Sequence, residues 1–381
     1  MPAVADCLRQ HAPAYLAKFG DAVPTGHRKV LDAITRCRTG ELGGVLYECD
    51  DCGRQHWVGR SCGNRHCPTC QKEKTAQWLE KQTSRLLPVH HYLVTFTVPQ
   101  ELRLPLRQNQ SDGYRALFTT AAESLRDVAA VTRALRGCQL GYFGVLHTWG
   151  RDPMVYNPHV HFVVPGGAVE VDEHGNALQW KSTAKNFLVH HDTLIRVYKG
   201  KLTDALRACG IYDEVPESAW YKKSVVDIEP VGDGRAVLKY LAPYIYRVAI
   251  SDKRIVACDE SSVTYSYTPS DSKESVRRTV PGERFVGGFC QHVLPRGFQK
   301  IRHYGWMHSG SKIHIEEVRW LVWLFLGWTF WLASGHAPQE EPIEGAAVRC
   351  AQCGSTMRIV EVVHVNCQAL IEHGVAYLDS G

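Results

Sequence analysis

Six cysteines crowd between Cys37 and Cys70, and four of them form two Cys-x-x-Cys pairs, Cys49/Cys52 and Cys67/Cys70, with 14 residues between the pairs. No other feature constrains the chain as tightly. Each short turn presents two thiolates at one edge, and two such turns complete a tetrahedron around Zn²⁺. The opening segment carries Asp6, Arg9 and Lys18 with no apolar core, unlike a secretory signal. In a reducing compartment, clustered thiols read as metal ligands rather than disulfides. Cys49, Cys52, Cys67 and Cys70 are therefore expected to hold a structural zinc of the zinc-ribbon or treble-clef kind, with Cys37, Cys62, His56 and His66 as spare ligands for a second site. A closed four-thiolate site leaves no open position, so this zinc is expected to fold the chain rather than catalyse. For the later pair Cys350/Cys353, the completing ligands expected from local sequence are His364, Cys367 and His373.

Hydrophobic residues make up 44% and charged residues 22% of the 381, a globular mix that excludes a disordered or fibrous chain. The length suits two or three domains. A net charge of +5 permits a polyanionic partner without demanding one. The uncharged stretch 320–333 is shorter than the roughly 18–20 residues that cross a bilayer. A buried helix is expected there, in a cytoplasmic protein with no membrane partner.

Along the chain, 1–45 reads as helical, 72–87 as a helix stopped by Pro88, and 91–98 as a strand closed by Pro99. Residues 114–135 suit a helix. Strands are expected at 141–149 and 159–164, joined as a hairpin through Arg151-Asp152-Pro153 and Asn157-Pro158. Further elements follow: a helix over 187–208, a strand over 224–228, and a hairpin from 263–267 and 275–280. Irregular alternation of this kind predicts an α+β fold with a mostly antiparallel sheet.

His159-Val160-His161 opens an apolar run, so on a strand both imidazoles face one side and can reach one divalent ion while Val160 points into the core. If the two strands are hairpin partners, His147 lies beside them and supplies a third ligand, with Asp152 and Asp227 as alternatives. Three protein ligands leave open positions for water and a phosphate oxygen. Tyr240 and Tyr244 are four apart and would project from one helical face. Beside a metal that polarises a phosphodiester, a phenol can attack phosphorus and form a phosphotyrosine, with Lys239 and Arg247 to hold the phosphate. Pro243 lies between the two tyrosines and would kink or restart the helix, leaving Tyr240 as the better aligned phenol. In 296–304, Arg296, Lys300 and Arg302 alternate with Phe298, His303 and Tyr304, cations and rings that suit single-stranded DNA.

Four motifs occur in order: Ser61-Cys-Gly-Asn-Arg-His-Cys-Pro-Thr-Cys-Gln71, His159-Val-His161 followed by Val-Pro-Gly-Gly, Tyr240-Leu-Ala-Pro-Tyr244 leading to Arg247-Val-Ala-Ile, and Leu294-Pro-Arg-Gly-Phe-Gln-Lys-Ile-Arg-His-Tyr-Gly305. Over about residues 10–305 this succession resembles the rolling-circle transposases of the insertion-sequence 91 type, bacterial HUH (histidine–hydrophobic–histidine) endonucleases. The resemblance implies a zinc-binding domain with flanking helices (1–88) and an HUH catalytic domain with an RNA-recognition-motif-like antiparallel sheet (89–255); the remainder (256–381) is expected to be a DNA-contacting segment, with a zinc knuckle at Cys350/Cys353 or an unliganded tail. It also implies Mg²⁺ or Mn²⁺ on His159 and His161, with Tyr240 and Tyr244 cleaving and rejoining single-stranded DNA at the ends and target of a mobile element in the bacterial nucleoid. A 5′-phosphotyrosine and a free 3′-hydroxyl would result. A plasmid or phage replication initiator or a relaxase would share this chemistry, though the fused zinc domain argues against both. A zinc-dependent DNA-binding protein without catalysis is the remaining alternative, and the sequence does not fix an oligomeric state.

Overall fold

The computed structural model describes residues 2–222, 226–245, 250–269, 272–327, 348–363 and 376–377. In chain order it forms α1 (Val4–Phe19), α2 (Thr25–Thr35), β1 (Gly44–Cys49), β2 (Gln55–Gly59), α3 (Lys72–Arg85), β3 (His91–Thr97), α4 (Arg103–Gln108) and α5 (Gln110–Val131). Next come β4 (Cys138–Gln139), β5 (Gly141–Trp149), β6 (Tyr156–Pro165), β7 (Gly167–Val171), β8 (Ala177–Ser182), α6 (His191–Ala208), α7 (Glu217–Tyr221), β9 (Val226–Pro230) and α8 (Arg235–Ile245). The rest is β10 (Ile255–Cys258), β11 (Ser262–Tyr267), β12 (Val276–Pro281), α9 (Gly282–Cys290), β13 (Ile301–Gly305), α10 (Ile315–Leu326), β14 (Met357–Val363) and β15 (Ala376–Tyr377).

The central sheet has the order β13-β5-β6-β3-β9, and every neighbouring pair is antiparallel. Alternation along the strands divides its side chains between two faces. Phe96, Leu146, Val160 and Phe162 pack with α5 and α6 residues such as Phe118 and Tyr198. On the opposite face Leu93, Phe143, Val145 and Val163 pack with Trp78 of α3 and with Val237, Leu238, Leu241 and Ala242 of α8. The chain is thus α+β with antiparallel sheets, as its element pattern predicts.

The segment after 256 does not keep to itself. β13 forms an edge of the central sheet and β14 pairs with β1, so the 256 boundary does not divide the strand pairing. The helix expected over 320–333 is also corrected in its described part. Only Val318 and Val322 of α10 are buried, whereas Trp320, Leu324 and Phe325 are exposed. One stripe of the helix faces the protein, which composition alone did not reveal. Residues 328–333 lie outside the described residues.

The cysteine-rich loop grips the segment before β13. The Arg65 guanidinium donates to the carbonyls of Phe298 (2.6 Å), Pro295 (2.5 Å) and Leu294 (3.3 Å). His66 Nε2 accepts the Leu294 N–H at 3.1 Å, while its Nδ1 lies 3.2 Å from Asn64 Oδ1. Burial pushes the His66 imidazole down to about 3, so it stays neutral and keeps that acceptor.

Two stability predictions follow from these contacts. Gly305 has φ +57°, and a Cβ there would sit 1.6 Å from the Leu140 carbonyl oxygen. Gly305→Ala is expected to cost at least about 1–3 kcal/mol in denaturant unfolding; an unchanged midpoint would contradict the β13 pairing. Arg65→Ala leaves part-buried carbonyls unsatisfied and is expected to cost roughly 1–3 kcal/mol. The 294–298 loop should then become protease-sensitive while zinc content stays unchanged.

Candidate metal centre and cysteine clusters

The β5–β6 register sets His147 opposite His159 and Val145 opposite His161, with a bulge between His147 and Trp149. All three imidazoles consequently share the sheet face that α3 and α8 cover. Ring centroids lie 5.4 Å (147–159), 4.6 Å (147–161) and 4.7 Å (159–161) apart, and one ligating nitrogen from each lies within 4.8 Å of the others. All three are buried.

Neighbouring groups fix the tautomers. His159 Nδ1 donates to the Asn157 carbonyl at 2.8 Å, leaving its Nε2 lone pair available. His161 Nδ1 meets Thr95 Oγ1 at 2.8 Å, and its Nε2 is buried without a hydrogen-bond partner. Burial lowers His159 to about 4 and holds His147 and His161 well below the usual histidine range. Buried neutral imidazoles with inward lone pairs are a donor set suited to a divalent cation. Thr95 was not singled out in the sequence, and Asn157 only as a turn residue, because hydrogen-bond partners of this kind carry no spacing signature.

Of the alternative third ligands, Asp152 is committed elsewhere. It pairs with Arg278 at 2.5 Å and accepts from the Tyr265 hydroxyl at 3.0 Å. Asp227 is exposed and sits opposite Thr95 on β9, with β3 between it and His161.

α8 presses Val237, Leu238, Leu241 and Ala242 against the same sheet face. Tyr240 stands at the margin of this contact with 53% of its surface exposed, and Lys239 is exposed beside it. The helix backbone continues through Pro243 to Ile245, so the helix neither ends nor restarts at the proline. The Tyr244 side chain and all of Arg247 lie outside the described residues.

Lys300 is tied to the site through rings. Its Nζ lies 4.8 Å over the Trp149 ring, and Trp149 stacks on His147 at 5.3 Å. Burial, and then Arg65, lowers the Lys300 ammonium to about 7. Arg302 packs over Phe118 at 4.4 Å and Phe298 at 5.3 Å, while Arg296 is exposed. The rings of this segment divide between the core and the cleft, where His303 and Tyr304 are among the lining residues. Phe298 and Tyr304 pack against the core, Tyr304 stacking on Tyr142 at 5.1 Å. The cations line the same cleft, of about 1270 Å³ around the β13 edge, through Arg65, Arg85, Arg126, Lys300 and Arg302. That volume exceeds an ordinary small-molecule pocket. The cleft reaches Trp149, though none of the three clustered imidazoles lines it.

The grouping of the cysteines needs correction. Cys49, Cys52, Cys67 and Cys70 do not converge on one point: Cys67 and Cys70 gather with Cys37 and Cys62, whereas Cys49 and Cys52 gather with Cys350 and Cys353. In the first group Sγ separations are 3.4 Å (37–70), 3.6 Å (62–70) and 3.7 Å (37–67). Tetrahedral Zn–S bonds of about 2.3 Å require separations of roughly 3.8 Å. Hydrogen bonds from Cys37, Cys62 and Cys67 hold Cys70 far below the usual thiol range, and Cys62 is pushed up, chiefly through Cys37. Four thiolates cannot coexist there without a cation. Of the other spare ligands, His66 grips Leu294, and His56 lies 3.5 Å from Cys350 Sγ.

Comparison with known proteins finds a zinc-binding region and a transposase region in this chain. A family model described as "Transposase zinc-binding domain" matches residues 7–98, and one described as "Putative transposase" matches 141–313. The chain is 35% identical over 328 residues to a protein of Sinorhizobium fredii described as "Putative transposase y4qJ", covering 80% of each chain. It is 27% identical over 301 residues to the transposase for insertion sequence element IS801 of Pseudomonas savastanoi pv. phaseolicola, covering 73% of this chain and 70% of that one. No solved structure matches. No helix among the described residues is long and apolar enough to cross a membrane. A zinc-binding region ahead of a transposase region, and a relative this similar over four-fifths of its length, establish that the chain belongs to the insertion-sequence 91 type of transposases.

Proposed function

We propose that this transposase is an HUH endonuclease that cleaves and rejoins single-stranded DNA through a covalent phosphotyrosine. One observation carries the reading: three buried imidazoles meet on the sheet face covered by the helix that bears Tyr240. On this reading the central antiparallel sheet is the RNA-recognition-motif-like core of the catalytic domain. Its substrate is the DNA at the ends and target of a mobile element, in the cytoplasm and nucleoid of a bacterium.

His147, His159 and His161 hold a divalent cation. When bound, that cation neutralises charge building on the phosphoryl oxygens. Three nitrogen donors favour Mn²⁺ over Mg²⁺, which prefers oxygen. The Tyr240 phenolic oxygen gives up its proton and attacks phosphorus. The bond to the 3′-oxygen breaks, that oxygen takes up a proton and leaves as a 3′-hydroxyl, and the 5′-phosphate stays on the tyrosine. Attack by a 3′-hydroxyl reverses the step and rejoins the strand. Tyr244 serves as the second nucleophile, and Lys239 and Arg247 hold the phosphate. The cationic cleft at the β13 edge supports a path for the strand, with Lys300, Arg302 and Arg296 contacting phosphates rather than stacking on bases.

Incubation with labelled single-stranded oligonucleotides from the element's ends should yield a denaturant-resistant adduct with Mn²⁺ and none with chelator. Tyr240→Phe is expected to lower adduct yield by several orders of magnitude. No adduct with any divalent metal would reject the reading, and an adduct lost only in Tyr244→Phe would reverse the ranking of the phenols. His159→Ala and His161→Ala should each abolish cleavage while DNA binding persists. Full cleavage in both would remove the metal assignment.

A further inference from the structure

The second cysteine group joins residues from distant parts of the chain. Cys49 and Cys353 are 304 positions apart, and Cys52 and Cys350 are 298 apart. Neither Cys350 nor Cys353 falls within the regions that match known domains. We propose that Cys49, Cys52, Cys350 and Cys353 bind a second Zn²⁺, which clasps the 348–363 segment onto the β1–β2 hairpin. This inference does not rest on the phosphotyrosine reading.

The sulfur geometry is that of a metal cage. Sγ separations are 3.4 Å (49–353), 3.8 Å (52–350) and 3.7 Å (52–353). They approach the roughly 3.8 Å edge of a tetrahedron with Zn–S bonds of about 2.3 Å and far exceed a disulfide bond of about 2.05 Å.

The two turns are near copies of one another. In Cys49-Asp-Asp-Cys52-Gly53, the Gly53 N–H donates to the Cys49 carbonyl at 3.1 Å, and the Cys49 N–H donates to the Arg54 carbonyl at 2.9 Å. In Cys350-Ala-Gln-Cys353-Gly354, the corresponding bonds run from Gly354 to Cys350 at 2.9 Å and from Cys350 to Ser355 at 2.8 Å. Both glycines take a positive φ, +66° and +77°, which closes the turn and points the backbone of each loop at its sulfurs. Two facing knuckles of this form make a zinc ribbon.

Burial does not account for the docking of β14. Of its seven residues only Met357 is buried, and Arg358 to Val362 are exposed. Among the described residues the apolar contacts are two small clusters: Cys49, Cys350 and Met357 with Tyr47 and Val348 half-buried against them, and Leu46 and Trp57 with Val363 half-buried against them. A strand pairing with so little apolar burial is marginal by itself, and a metal crosslink supplies the missing stability. His56 is buried with its Nε2 3.5 Å from Cys350 Sγ, the position of a donor that steadies a liganding thiolate.

The test uses the full chain purified with zinc. Cys52, Cys353 and Cys209 are all exposed, so without metal all three should react with an alkylating reagent. In the zinc-loaded protein, mass mapping is expected to find Cys209 modified and Cys52 and Cys353 protected. Chelation should release Cys49, Cys52, Cys350 and Cys353 together. Zinc content relative to the parent chain, a difference that cancels any zinc on the imidazoles, gives the partition. Cys350→Ser/Cys353→Ser and Cys49→Ser/Cys52→Ser should each lose one equivalent, and the quadruple variant should also lose one. Cys353 reacting as readily as Cys209 in the zinc-loaded wild type would overturn the proposal, as would a quadruple variant that loses two equivalents or a Cys350/Cys353 variant that loses none. The alkylation arm needs no variant, so it stands even if a substituted chain misfolds.

Discussion

The pairing of β5 with β6 is the constraint on which the site depends. A slip of one residue would turn a strand's whole side-chain set to the other face, sending the imidazoles into the α5–α6 core. The register is held because Leu146, Val160 and Phe162 fill that core, which leaves His147, His159 and His161 on the other side. Keeping neutral imidazoles there is costly: a buried, unsatisfied polar atom such as His161 Nε2 disfavours folding by about 1–3 kcal/mol. A cation bound there would relieve that cost.

The cysteine-rich loop bears on the same region from outside. The Cys37, Cys62, Cys67 and Cys70 group fixes the loop that carries Arg65 and His66, and these grip 294–298. That segment leads into Lys300, which lies over Trp149, which stacks on His147. The contacts are continuous from thiols to imidazoles, so the zinc-binding region is a buttress for the central sheet.

What could be read in the sequence was what depends on local pattern. Branched and aromatic side chains bounded by turn residues marked the strands at 91–98, 141–149 and 159–164, and hairpin reasoning brought His147 beside His159. The cysteine partition could not be read this way. Spacing ranks nearby ligands first, and the residues that complete the Cys49/Cys52 turn lie some 300 positions later. The packing of two rings in 296–304 was hidden for a related reason. A cation-and-aromatic pattern is the same whether the rings face solvent or pack on Tyr114 and Tyr142, as Phe298 and Tyr304 do. α10 was misjudged because composition gives mean apolarity, not which stripe meets a partner.

The central claim is that a phenol of α8 stands within a phosphate's reach of a cation held by the three imidazoles. Fluorine NMR of the chain carrying 3-fluorotyrosine, with the position-240 resonance assigned by a Tyr240→Phe comparison, tests it without DNA or turnover. Added Mn²⁺ should broaden the Tyr240 signal strongly at one equivalent above the zinc content, and His161→Ala should abolish the effect. A Tyr240 line that stays sharp while the imidazole site is occupied by Mn²⁺ would contradict the account.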